Sequence, residues 1–150
     1  MPECKVKIFV KARFDVIWDN LIDKIYHPKK YLDEIRSVEI VENEPDHVLR
    51  IVRFHDSTWQ ELKELIVYDK SSGIIVYRLV DHPSFEGETI NICRTTNEIY
   101  HSELEFEINW KLKDSNQFES EHDKEISHNK LQTAIQQMKA ICEEAELVHN

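Results

Sequence analysis

The chain has 150 residues, 41% of them hydrophobic and 9% aromatic, which is enough apolar material for one buried core and too much for a disordered segment. Its formal net charge of −10 sets up a field that repels phosphate backbones and anionic lipid surfaces, so neither nucleic acid nor stable membrane insertion is expected. Cys4, Cys93 and Cys142 lack CxxC spacing, no stretch reaches the ~18 apolar residues of a membrane span, and no signal-peptide pattern opens the chain; a reducing cytoplasm is the expected location.

Val6, Ile8 and Val10 alternate with Lys5, Lys7 and Lys11, the period of a strand with one dry and one wet face, which predicts a first strand over Cys4 to Ala12. Asp15 is then placed to cap a short helix carrying Val16, Ile17, Trp18, Leu21, Ile22 and Ile25. His27 and Pro28 turn the chain into a second helical piece through Tyr31 and Leu32. Strands follow at Val38 to Glu42 and Val48 to Phe54, joined by a turn over Asn43 to Asp46. The next two, Trp59 to Tyr68 and Ile74 to Val80, are reached through Asp56 and Ser57 and joined through Lys70 to Gly73; Gly73 suits a left-handed turn position.

Pro83 and Gly87 bound an expected surface loop over Asp81 to Glu86, before a strand over Glu88 to Thr95. The clearest strand is the last. Leu104, Phe106, Ile108, Trp110 and Leu112 alternate with Glu103, Glu105, Glu107, Asn109 and Lys111, so one face is dry and the other acidic. A helix from about Glu121 to about Leu147 then carries the stripe Leu131, Ala134, Met138, Ile141, Ala145 and Val148, widened by Ile135 and Cys142. Its apolar face needs a cover, and the inner face of the sheet is the available one. Without repeats, low-complexity tracts or linkers, residues 1–150 read as one α+β domain.

One strand, two short helices, six strands and a long helix is the helix-grip order, and the sequence resembles the START-like, birch-pollen-allergen-like (SRPBCC) superfamily, in particular its AtaL-like branch. The stretches that carry the likeness are FDVIWDNLIDKIYHPKKYLDEI, ELIVYDKSSGIIVYRLVD and HSELEFEINWKL, together with the terminal helix. The resemblance implies a curved antiparallel sheet of about seven strands around the C-terminal helix, with a cavity between them for a small hydrophobic or amphipathic molecule and no cofactor. Because this fold hosts carriers, enzymes and co-chaperones alike, the activity has to come from the site.

Glu64 and Arg78 lie on strands joined by one turn. If that loop holds an odd number of residues the two share the inward face of Leu62 and Ile66; if even, Tyr77 replaces Arg78 there. A charge in the cavity is costly unless partnered and is therefore a candidate for function. A two-residue turn at Asn97 and Glu98 would set Asn91 opposite Leu104 and turn Thr89, Asn91 and Cys93 inward, so that Asn91 can hydrogen-bond a ligand or be satisfied by water. Tyr68, Phe106, Ile108 and Trp110 from the sheet and Ala134 and Met138 from the helix complete the candidate wall, with Trp59 and Tyr77 as further aromatics.

Metal chemistry finds little support, since His122 and His128, near Glu121 and Glu125, stand six apart where a helical pair needs four. His47, His55, His82 and His101 fall in or beside turns and are expected in solvent. Cys93 reads as a buried thiol rather than a nucleophile. These residues favour a carrier or sequestering protein for a small hydrophobic molecule. The rival is a cyclase or aromatase in which Arg78 or Asn91 steadies an enolate and Glu64 shuttles a proton. A third reading is an interaction module working through its outer surface.

Overall fold

A computed structural model describes residues 3–55, 61–114 and 121–149. The alternating segments form β1 (Glu3–Val10), β2 (Ile35–Glu44), β3 (His47–Phe54), β4 (Glu61–Asp69), β5 (Ile74–Leu79), β6 (Phe85–Thr95) and β7 (Ser102–Leu112). The segments of helical period form α1 (Phe14–Tyr26), a 3-10 turn at Pro28–Lys30 and α2 (Glu121–His149). All strand pairings are antiparallel, in the order β1-β7-β6-β5-β4-β3-β2. This is the expected α+β helix-grip arrangement, with the core between the concave sheet, α1 and α2.

Several boundaries move for identifiable reasons. Helix α1 begins one residue before Asp15 with Arg13 at its N-cap, so Asp15 lies in the first turn, where its charge favours the helix's positive end, and does not cap it. Strand β2 extends at both ends beyond Val38 and Glu42, leaving only Pro45 and Asp46 unpaired before β3, and two bulges take up its register shifts. Strand β6 starts at Phe85, three residues early, because Gly87 continues the ladder at φ +131°; a β-carbon there would lie 2.0 Å from the Asn109 carbonyl oxygen. Trp59, Asp56 and Ser57 lie outside the described residues.

Helix α2 covers the concave face through Leu131, Ile135, Met138 and Cys142, spaced four, three and four apart. The stripe does not reach Val148, which is 81% exposed; Glu146 occupies the next inward position. Its carboxylate accepts hydrogen bonds from the Arg13 backbone N–H and guanidinium. One turn earlier, Glu143 accepts from the Lys11 N–H at 2.8 Å. The far end of α2 is thereby tied to the β1–α1 connection, which leaves its earlier turns to roof the remainder of the sheet.

Candidate functional site

Between the Leu131 turn of α2 and the sheet lies a cavity of about 160 Å³. Its walls are apolar, with Ile108 and Trp110 from β7, Val52 and Leu62 from β3 and β4, and Leu131 and Ala134 from α2. Part-exposed Leu32, Glu34 and Lys130 form its mouth and also border an outer groove, while Glu34 and Lys130 face each other at 3.6 Å.

The floor is polar. Lys24, 8% exposed, leaves the last turn of α1 and its Nζ donates to Asn91 Oδ1 at 2.6 Å. The same ammonium stands 4.3 Å from the Phe106 ring centroid and 5.6 Å from that of Tyr77. Burial lowers the Lys24 pKa to about 7, helped by the nearby Arg50 charge and opposed by Glu64 and Cys142. Arg50 donates through Nε to Glu64 Oε1 at 3.1 Å and through Nη1 to the Lys24 and Ile25 carbonyls at 3.1 and 2.7 Å. Those carbonyls belong to the end of α1, where a cation is favoured, so Arg50 is compensated on both sides. The Tyr77 hydroxyl is buried and has no hydrogen-bond partner among the described residues, and desolvation raises its pKa.

Of the residues expected at a cavity, Glu64, Asn91, Phe106, Ile108, Trp110 and Ala134 border this one. Three do not. Arg78 points to solvent and meets Glu88 at 3.4 Å, because four loop residues separate Asp69 from Ile74 and set Leu79 opposite Glu64. Tyr77 takes the inward place, opposite Ile66. Tyr68 shares the parity of Glu64 but lies past the core, 42% exposed, with its ring against Trp18. Met138 is packed in the core one turn beyond the cavity. Asn91 does face inward, but opposite Phe106 and not Leu104: the β6–β7 connection spans six residues, and an even count preserves the parity.

Sequence reasoning missed Lys24 and Arg50. Lys24 lies three residues after Leu21 and seven after Ile17, on the buried face of α1, which is a legible signal. Arg50 shares its parity with Val48 and Val52, but Leu49 and Ile51 make the other face equally apolar. Among the histidines, His55 is exposed, while His47 and His101 are half-buried beside acidic partners and the His82 ring accepts the Ser84 and Phe85 amides. His128 Nδ1 meets Cys4 Sγ at 3.3 Å, and the side chains of Glu121, His122 and Glu125 lie outside the described ones. Among the described residues, no helix is long and apolar enough to cross a membrane.

Comparison with known structures finds the same fold. The Zhui aromatase/cyclase from Streptomyces sp. R1128 superposes with a TM-score of 0.76 at 14% identity, covering 99% of this chain and 95% of that one. Ara h 8.0201 gives 0.74 at 12% identity, over 93% and 96%. A putative uncharacterized protein from Bacillus thuringiensis gives 0.72 at 12%, over 93% and 98%. Identities this low speak for architecture alone. No curated protein matches significantly by sequence. The family model described as "AtaL: Acetylaranotin biosynthesis cluster protein L" matches residues 13–145, and the chain belongs to that family, within the SRPBCC, Bet v 1-like superfamily.

Proposed function

We propose that this protein binds a small amphipathic molecule about one ring in size, with its apolar body against Ile108, Trp110, Leu131 and Ala134 and an oxygen-bearing end toward Lys24, Asn91 and Tyr77. The observation that carries this reading is the cavity itself, with dry walls, a floor of buried donors and a hydroxyl left unpaired. Small-molecule pockets commonly measure ~300–1,000 Å³, whereas a cavity of about 150 Å³ holds one benzene. At about 160 Å³ the cavity therefore selects for small occupants. A free buried hydroxyl costs about 1–3 kcal/mol, which a ligand oxygen accepting from Tyr77 would recover.

Trp110 emission provides the test, since the indole borders the cavity. Phenol and small aryl alcohols should change it saturably, and Ala134→Trp should abolish the response while the chain still melts cooperatively. A saturable response that survives the filled cavity would remove this site from consideration.

A cyclase reading is favoured by one feature, the cationic floor. Lys24 and Asn91 could hold an enolate oxygen, a part that Arg78 cannot play from the outer face. Glu64 is committed to Arg50, which weighs against a free proton shuttle. Carriage or sequestration in the cytoplasm remains the simpler proposal.

A further inference from the structure

Among the described residues, two primary amines border the cavity, and they differ in kind. Lys130 stands at the mouth beside Glu34, while Lys24 stands on the floor behind the apolar walls. Each element around Lys24 presents a defined group. These are the Arg50 guanidinium from β3, the Glu64 carboxylate from β4, the Tyr77 phenol from β5, the Asn91 amide from β6, the Phe106 ring from β7 and the Cys142 thiol from α2. Asn91 Oδ1 is the acceptor for the amine and fixes its position, and the unpartnered Tyr77 hydroxyl is a hydrogen-bond donor in the same cavity. An ordinary lysine, with a pKa of ~10.4, exposes a free lone pair in fewer than about one molecule in a thousand at neutral pH. Lys24, at about 7, exposes one in roughly half of them. Desolvated lysines of this kind are the ones that add to carbonyl groups.

We propose that Lys24 is a covalent capture site for small aldehydes: its Nζ adds to the carbonyl carbon of a ring-sized aldehyde in the cavity while the Tyr77 hydroxyl donates a hydrogen bond to the carbonyl oxygen. In the addition a C–N bond forms and the carbonyl oxygen becomes the hydroxyl of a carbinolamine. Loss of that hydroxyl with the remaining Nζ proton releases one water and leaves a neutral imine. Both amine protons depart with the oxygen, no electrons are exchanged with a third party, and Tyr77 is unchanged at the end. Hydrolysis reverses the sequence, so capture is reversible. The dry walls disfavour water at the imine carbon and prolong the bound state. An aryl aldehyde fits both parts of the site, its ring against the apolar walls and its carbonyl on the floor.

The inference rests on the small-molecule reading above, and the experiment separates the two. The full chain is incubated near neutral pH with benzaldehyde and sodium cyanoborohydride, which reduces an imine to a stable benzylamine, and the adduct is located by peptide mapping. Benzyl alcohol, which matches the ring but lacks the carbonyl, is titrated in parallel against Trp110 emission.

The expected result is one dominant adduct on Lys24, formed on the order of tenfold or more faster than on exposed Lys70 or Lys111 and slowed by excess benzyl alcohol. Lys24→Met should lose that adduct, and Tyr77→Phe should form it more slowly. If benzyl alcohol binds while Lys24 stays unmodified, capture is overturned and the pocket reading stands. If neither probe enters, both are overturned. Should Lys24→Met not fold, mapping and competition on the unaltered chain still decide.

Discussion

Arg13 and Glu146 face each other as a two-pronged ion pair, with Nε to Oε1 and Nη2 to Oε2 both at 2.9 Å, that joins the start of α1 to the end of α2. Glu146 is 4% exposed and also satisfies the Arg13 backbone N–H. Replacing it with Ala leaves that amide without its carboxylate partner and should lower the melting temperature by several degrees. Leu147→Ala, one residue on and 76% exposed, should leave it unchanged. Equal melting temperatures for the two variants would show that the clasp is not holding the helix.

Lys24 gives stability a pH dependence of definite sign. Its folded pKa of about 7 lies below the ~10.4 of an unfolded chain, so between those values the unfolded state holds more protons and the Lys24 contribution rises with pH. Below that window both states are protonated and the folded chain bears the full cost of burying the charge. Relative to Lys24→Met, the unaltered protein should gain up to about 1.4 kcal/mol per pH unit between pH ~7.5 and ~9.5 in urea unfolding. Cys93, pushed up to about 12 by burial, acts in the opposite direction and cancels in the comparison, whereas Cys142, also pushed up to about 12, faces Lys24 and loses the influence of its charge in the variant. Parallel curves for the two proteins would mean that Lys24 does not titrate there.

Gly87→Ala should destabilise severely. The backbone is at φ +131° and the new methyl would lie 2.0 Å from the Asn109 carbonyl oxygen, so β6 and β7 must part locally. A loss of about 2 kcal/mol or more is expected in chemical unfolding, with quenching of Trp110, which pairs with Gly87, as a local reporter. An alanine variant as stable as the parent would contradict the continuous β6.

Filling the cavity from α2 should depend on which side chain is enlarged. Ala134→Trp enters the cavity and should remove probe binding at little cost in stability, whereas Met138→Trp overpacks a core position that is 1% exposed and should cost about 1–3 kcal/mol. Paired melting and fluorescence titrations would distinguish them, and binding lost only in the Met138 variant would relocate the pocket.

Most of the architecture was legible because period-two and helical patterns are strong where one face is wet. The acid-lined alternation of β7 set which of its faces is dry though not its pairing with β6, and the two arms of the Asp69–Ile74 hairpin were placed correctly even though the number of loop residues was undecided. That single number exchanges Arg78 for Tyr77 at the cavity, a choice settled by long-range pairing that no local pattern encodes. The site was half legible for a related reason. Phe106, Ile108 and Trp110 announce themselves by alternation, and Lys24 could have been found from its spacing to Ile17 and Leu21, whereas a buried cation such as Arg50 looks like a solvated one until its partners on other elements are known.

The unequal attachment of α2 along its length has a mechanical consequence. Near its end the helix is bolted through Glu143 and Glu146 to backbone amides and a guanidinium, while over the cavity it meets the opposite rim through the part-exposed Lys130–Glu34 pair, a kind of contact worth at most about 1 kcal/mol. The helix is thus fixed more firmly at its Glu143 and Glu146 end than beside Lys130, and an occupant that presses on the cavity roof is accommodated first on the Lys130 side.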